Sequence, residues 1–460
     1  MSVATRNSTR NIMVLIPLVT HRASDSILAY RAGIAVTAGR FLTDVACLAQ
    51  ALPAGAHVLN ICNDRYRFTV GLAASVIARK VSLLPSAHTP QIIRQLKQFA
   101  PDAFCLTDDT HCDIELPHFY YRNATTAEEL PWRIPQIDAE QLVAYVFTSG
   151  STGMPVPHKK TWGKLANCVV EGARRLGLAD GRSHALLGTV PAQHMYGLES
   201  TVLTCLQSGN ALCAERPFFP ADICAGIAAL PRPRVLVTTP IHLRTLLGAD
   251  LALPAIDFIL SATAPLAREL AVETESRFGA PLLEIYGSTE TGQIASRRTV
   301  ESQQWSLWPG VKLTVADGSA WVQGGHVEQP TAMGDVLEPT GEQTFILHGR
   351  TGDLVNVAGK RGSLGHLNHH LNAIPGIIDG TFFIREDEGN AATGVTRLAA
   401  FVVAPGVDAA WLLEQLRERI DPVFLPRPLL FVARLPRTAT GKLPLEALRS
   451  LGAADPECVV

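Results

Sequence analysis

Ala56-His57-Val58-Leu59-Asn60, an apolar helical run from Arg67 to Ala78, then Val81-Ser82-Leu83-Leu84-Pro85: this order decides the fold class. Short apolar strands separated by a longer helix-period segment form a strand–helix–strand unit, which favours a parallel sheet with right-handed crossovers. The unit repeats at once, with a helix over 88–98 and a strand at Ala103-Phe104-Cys105-Leu106-Thr107. Further strands are predicted at 185–190, 234–239, 258–261 and 282–286, so the chain reads as α/β. Upstream, residues 26–52 read as a helix pair around a short strand, and 12–19 as a buried strand. Between about 305 and 348, short alternating strands with Gly and Pro turns predict a small β-subdomain. Residues 349–460 read as a compact α+β domain, with strands at 354–357, 380–384, 398–403 and 429–432 and helices near 365–373 and 409–420.

A chain of 460 residues is too long for one ordinary core, which agrees with a division into 1–348 and 349–460. Its 40 basic and 42 acidic residues leave a net charge of −2, giving no electrostatic reason for a nucleic-acid partner or an anionic membrane. Nine scattered cysteines without a CxxC pair read as reduced thiols, with no zinc signature and no disulfide frame. Nowhere do 18 apolar residues run together, so no membrane insertion is expected and the reading is cytoplasmic.

Three loops carry the chemistry. After the apolar Tyr145-Val146-Phe147, the segment Thr148-Ser149-Gly150-Ser151-Thr152-Gly153 reads as a turn whose glycines expose successive N–H groups. With four hydroxyls it can wrap phosphates without a net charge, and it lacks the Gly-Lys-Ser/Thr ending of a Walker A loop. Lys159 and Lys160 follow, within reach of a departing pyrophosphate. In the second loop, a strand runs into Tyr286-Gly287-Ser288-Thr289-Glu290. Glu290 suits Mg²⁺, a hard cation held by one or two carboxylates plus phosphate oxygens. Thr289 can donate to a phosphate and Tyr286 can stack on a base. In the third, Leu435-Pro436-Arg437-Thr438-Ala439-Thr440-Gly441-Lys442, a tight turn presents Lys442. A carboxylate attacking an α-phosphate brings two anions to about 4 Å, a repulsion of about 4 kcal/mol that one ammonium counters.

In this order the three loops resemble the acyl-adenylate-forming superfamily: acyl- and aryl-CoA ligases, nonribosomal adenylation domains and firefly luciferases. The resemblance covers nearly the whole chain and extends to Val190-Pro191-Ala192-Gln193-His194-Met195-Tyr196-Gly197 and Ser261-Ala262-Thr263-Ala264-Pro265-Leu266. It implies an acid pocket bordered by His194, Met195, Tyr196, Ile285 and Gly292, and an adenine site along Ala262, Thr263, Ala264 and Tyr286. It further implies ribose binding by Asp335, a hinge over Arg350–Asp353 that includes Gly352, and a pantetheine tunnel at Gly359. His194, Thr289, Glu290 and Lys442 would be catalytic. Arg350, Gly287 and Ser288 would complete the nucleotide site.

The chain departs from the family at Val156, where a lysine is usual, at Gly352 in the hinge, and at His366-Leu367-Asn368. The resemblance implies ATP-dependent activation of a carboxylic acid, followed by transfer to the pantetheine thiol of coenzyme A or a holo acyl carrier protein. In its compact length and Pro-x-Pro-His-Lys-Lys variant the chain resembles ligases that load hydroxybenzoate-type acids, which implies such an acid, with a medium-chain fatty acid as the alternative. A non-catalytic nucleotide-binding descendant is the rival from another class.

Overall fold

The computed structural model describes residues 13–85, 87–123, 128–149, 155–316, 319–350, 354–357, 360–385, 397–438, 443–444, 447–448 and 450–451. Two sheets organise the larger part. The first runs, in spatial order, Pro155–Thr161, Leu142–Ser149, Val81–Leu84, His57–Asn60, Phe104–Thr107 and His118–Tyr120. Its pairings are parallel apart from the edge hairpin 142–161. The second has eleven strands: Asp335–Gly341, Thr344–Arg350, Gln304–Leu307, Gly292–Arg297, Leu282–Ser288, Phe258–Ser261, Arg234–Thr238, Ala185–Gly188, Ala211–Cys213, Ile27–Arg31 and Ile34–Thr37. Its centre is parallel and antiparallel strands finish both edges. Parallel strands covered on both faces read as continuous apolar runs, which makes 81–84 and 258–261 legible in the sequence.

The helix Arg65–Ile77 is buried around most of its circumference, and one core joins residues of both sheets, among them Val58, Leu84, Leu186 and Val237. Asp64 caps the helix by accepting from the Arg67 amide. Arg65, 2% exposed, donates to the carbonyls of Gly188, Val190, Cys213 and Glu215. Those carbonyls sit at strand ends of the second sheet, so a helix of the first unit is clamped to the second. Burial lowers the Arg65 pKa to about 10, which leaves the guanidinium charged at neutral pH.

Past 350, the antiparallel strands Leu354–Val357 and Lys360–Ser363, the helices Leu364–Asn372 and Ala409–Arg417, and a three-stranded sheet of Asp379–Arg385, Arg397–Val403 and Leu429–Phe431 form a small α+β unit. Its core is built on Leu367, Leu371, Phe382, Ala400, Leu412 and Leu416. The fold is therefore α/β: a large N-terminal domain of layered sheets with a small β-sheet attached, and a small α+β C-terminal domain. The strand Thr344–Arg350 runs across the boundary expected at 348/349.

Three expectations are corrected. Residues 26–52 hold one helix, Ala38–Ala51; the first half is a hairpin of Ile27–Arg31 and Ile34–Thr37, turning through Ala32 and Gly33 at positive φ. Pairing of Ile27–Arg31 with Ala211–Cys213 overrides the local helical pattern. The strand near the N-terminus is only Leu15–Pro17, and Met13, Val14 and Leu15 are 61%, 57% and 47% exposed, so it is a short edge pairing. Only Val311–Ala316, Ser319–Gly324 and Thr331–Met333 form a separate small β-sheet. Gln304–Leu307, Asp335–Gly341 and Thr344–Arg350 extend the large one instead.

Candidate active site

Thr148 and Ser149 belong to the strand Leu142–Ser149 rather than to a turn; Ser149 pairs with Pro155 and Thr148 with Val156. Gly150, Ser151, Thr152 and Gly153 lie outside the described residues. Alternation along the returning strand puts Val156, His158 and Lys160 on one face. His158 Nε2 is 2.8 Å from Thr148 Oγ1 and 3.7 Å from Glu290 Oε1, so it stands between the first loop and the second. Burial lowers the His158 pKa against the opposing pull of Glu290, leaving the ring neutral at pH 7.

A tight turn joins Leu282–Ser288 to Gly292–Arg297 and carries Thr289 and Glu290, both half-buried, at its tip. The Ser288 amide donates to Thr291 Oγ1 at 3.1 Å, and the Thr291 amide to Ser288 Oγ at 3.2 Å, which holds the tip in one shape. Gly287 answers a close approach: a Cβ there would sit 2.1 Å from the Gly292 carbonyl oxygen. Tyr286, 8% exposed, packs against Trp305 and Phe345, and its hydroxyl donates to Asp335 Oδ2 at 2.6 Å. The ring that the sequence offers for base stacking is thus mostly enclosed by an aromatic cluster.

The strand Phe258–Ser261 leads into Ala262, Thr263 and Ala264. Thr263 has φ 78°, a left-handed conformation that is rare for a β-branched residue and that clusters at ligand sites. Ser261 Oγ beside it is buried without a hydrogen-bond partner among the described residues. Asp335 pairs through its backbone with Arg350.

Around the expected acid pocket, His194 is half-buried at the head of the short helix Met195–Gly197, which packs on Gly292–Arg297. Met195, Tyr196 and Ile285 are buried. The Tyr196 hydroxyl donates to the carbonyls of Thr238 and Leu260, so its polar end ties two strands together.

Behind these residues lies a cluster that sequence reasoning missed. Glu199 is 1% exposed on a π-helical turn, Leu198–Leu203. Its Oε1 accepts from Cys168 Sγ at 3.1 Å and its Oε2 from the Gln293 amide at 3.1 Å. Burial pushes its pKa up to about 7, with Lys160 pulling the other way. Gly292 has φ 73°, and a Cβ there would lie 2.5 Å from Glu199 Oε1, so only glycine fits. Lys160, 3% exposed, donates from Nζ to the Glu290 carbonyl at 2.7 Å. That corrects the expectation that Lys160 reaches for pyrophosphate: its ammonium is held inside, and Lys159 alone of the pair is exposed. The alternation of 156, 158 and 160 is the one sequence signal for this, and it becomes readable only once the segment is known to be a strand.

Lys442, Gly352, Asp353 and Gly359 lie outside the described residues. Among the rest, the structure gathers Thr148 with Glu290, Tyr286 with Asp335, and Met195 with the strand that begins at Gly292.

The model of the family described as AMP-binding enzyme matches residues 45–325. The chain belongs to the AMP-binding enzyme family. This AMP-binding enzyme is 31% identical over 308 residues to a 4-coumarate–CoA ligase of Rhodobacter capsulatus, covering 66% of this chain and 75% of that protein. It is 23% identical over 390 residues to the 3-hydroxybenzoate–CoA/4-hydroxybenzoate–CoA ligase of Thauera aromatica, covering 74% of this chain and 71% of the relative. Its fold superimposes on ATP-bound MatB of Rhodopseudomonas palustris with a TM-score of 0.78 at 20% identity, over 95% of this chain and 97% of that one.

Proposed function

We propose that this AMP-forming acid–thiol ligase activates an aromatic, hydroxybenzoate-like acid as its acyl-adenylate and passes the acyl group to a pantetheine thiol. The observation that carries the reading is the convergence of Thr148, His158 and Glu290, together with the Tyr286–Asp335 bond on the strand that leads into the turn of Glu290. In the first step a carboxylate oxygen attacks the α-phosphorus and pyrophosphate leaves. The Gly- and hydroxyl-rich segment 150–153 cradles the phosphates, and Thr289 donates to them. Glu290, a half-buried hard oxygen donor at the tip of a stiffened turn, fits Mg²⁺, which when bound neutralises phosphate charge. Asp335, oriented by Tyr286, binds the ribose hydroxyls, and Lys442 bridges carboxylate and phosphate. The C-terminal domain then turns about 350–353 so that Gly359 admits the thiol. The sulfur attacks the acyl carbon and AMP departs. Splitting the reaction this way converts a poor acylating agent into a reactive mixed anhydride.

The apolar side chains of Met195 and Ile285 suit an uncharged aromatic body, and the names of both relatives support an aryl acid and coenzyme A. The test is acid-dependent AMP formation with benzoates, cinnamates and fatty acids, followed by mass spectrometry with coenzyme A or a holo acyl carrier protein. AMP formed with hydroxybenzoates supports the proposal. AMP formed only with fatty acids overturns the substrate, thioester formed only on the carrier assigns the acceptor, and no AMP with any acid overturns the activity.

A further inference from the structure

At the edge of the six-stranded sheet opposite the hairpin 142–161, Phe104–Thr107 and His118–Tyr120 pair in parallel with Cys105 directly across from His118. The segment between them brings Cys112 Sγ to 3.9 Å from Cys105 Sγ. One ligand atom from each of Cys105, Cys112 and His118 lies within 4.8 Å of the other two. Cys105 is buried, Cys112 half-buried and His118 exposed, so the group runs from the core out to solvent.

We propose that Cys105, Cys112 and His118 form a binding site for a thiophilic divalent cation of the zinc type, with a water in the fourth position. Tetrahedral zinc binds sulfur at about 2.3 Å, which sets two thiolates roughly 3.8 Å apart. The observed 3.9 Å agrees with that spacing. A disulfide needs the sulfurs at about 2.05 Å. Two sulfurs and an imidazole select zinc over the hard cation suited to Glu290. Ordinary core packing accounts for Cys105, which sits among Leu59, Leu83 and Phe147. Cys112 packs against the same cluster, but packing does not account for an exposed imidazole converging on the two sulfurs. The spacing along the chain matches no zinc pattern, because the parallel register and not sequence proximity brings His118 to Cys105.

A bound cation would pin the edge strand to the loop between 108 and 116. In that loop Asp108 accepts from the amides of Asn63 at 2.8 Å and Asp64 at 3.2 Å, just ahead of the helix Arg65–Ile77. Occupancy should therefore stabilise this corner of the protein without touching the adenylation residues.

The test uses tag-free, full-length, chelator-treated and reduced protein titrated with Co²⁺ and then Zn²⁺. One equivalent of Co²⁺ should produce thiolate charge-transfer absorption that Zn²⁺ displaces, and Zn²⁺ should raise the melting temperature. Cys112→Ser and His118→Asn, both away from the deep core, should each weaken binding at least 10-fold, while Cys224→Ser should not. The proposal is overturned by absence of a stoichiometric signal, by a signal that survives Cys112→Ser, or by a native Cys105–Cys112 disulfide. Because Zn²⁺ binding and melting are read without substrate, failure here is separate from failure of the ligase assignment.

Discussion

Lys160 Nζ donates to the main-chain carbonyl of Glu290 at 2.7 Å, which joins the strand Pro155–Thr161 to the turn that carries the candidate magnesium ligand. A hydrogen bond from a charged donor contributes about 1.5–3 kcal/mol. Lys160→Met keeps the apolar stem and removes the bond. We expect kcat/KM for AMP formation to fall about 10–100-fold, with more Mg²⁺ needed for half-maximal rate. A lower melting temperature with unchanged kinetics would make Lys160 purely structural.

The Tyr286–Asp335 bond orients the carboxylate expected to bind ribose. Tyr286→Phe retains the packing on Trp305 and Phe345 and loses only the hydroxyl. One neutral-to-charged bond at about 1.5 kcal/mol predicts a roughly 10-fold rise in KM for ATP with kcat nearly unchanged. Asp335→Ala should raise it further. Steady-state kinetics at varied ATP decide this, and an equal fall in kcat for Tyr286→Phe would count against a ground-state ribose contact.

Glu199 sets a pH dependence. Its folded pKa, about 7, lies above the ordinary 4.5, so the folded state holds this proton more tightly than the unfolded chain. The stabilisation is present below pH 4.5 and is lost as pH rises through about 7. A shift of this size corresponds to about 3 kcal/mol. Glu199→Gln should flatten that part of the pH profile, as urea denaturation at several pH values would show. Parallel profiles for the two proteins would remove Glu199 as the cause.

Lys442→Ala should lower adenylation about 10²–10³-fold, the usual effect of removing one preorganised donor from a transition state. Supplied acyl-adenylate should still react with thiol at close to the normal rate, because the lysine is assigned to the first step only. Separate assays of pyrophosphate release and thioester formation distinguish the steps. Equal losses in both would make Lys442 structural.

Strand–helix alternation made 57–60, 65–77, 81–84 and 104–107 legible within a residue or two, because parallel strands covered on both faces must be apolar throughout. The misreading at 26–52 has a single cause. A hairpin captured by a distant strand carries no local mark of its partner. The same reason hid Glu199, whose role depends on Cys168 and the Gln293 amide, and the Cys105–His118 approach, which depends on register.

The α/β class and the turn that carries Thr289 and Glu290 follow from the order of residues alone, since periodicity and turn chemistry are properties of neighbours along the chain. Which side chains of distant segments meet was decided by strand order. His158 reaches Thr148 across a hairpin and approaches Glu290 across two sheets. Lys160 is turned inward to a carbonyl that lies 130 residues away. Contacts of that kind exist only once the strands have paired and water has been excluded, so their geometry and their shifted pKa values belong to the tertiary structure.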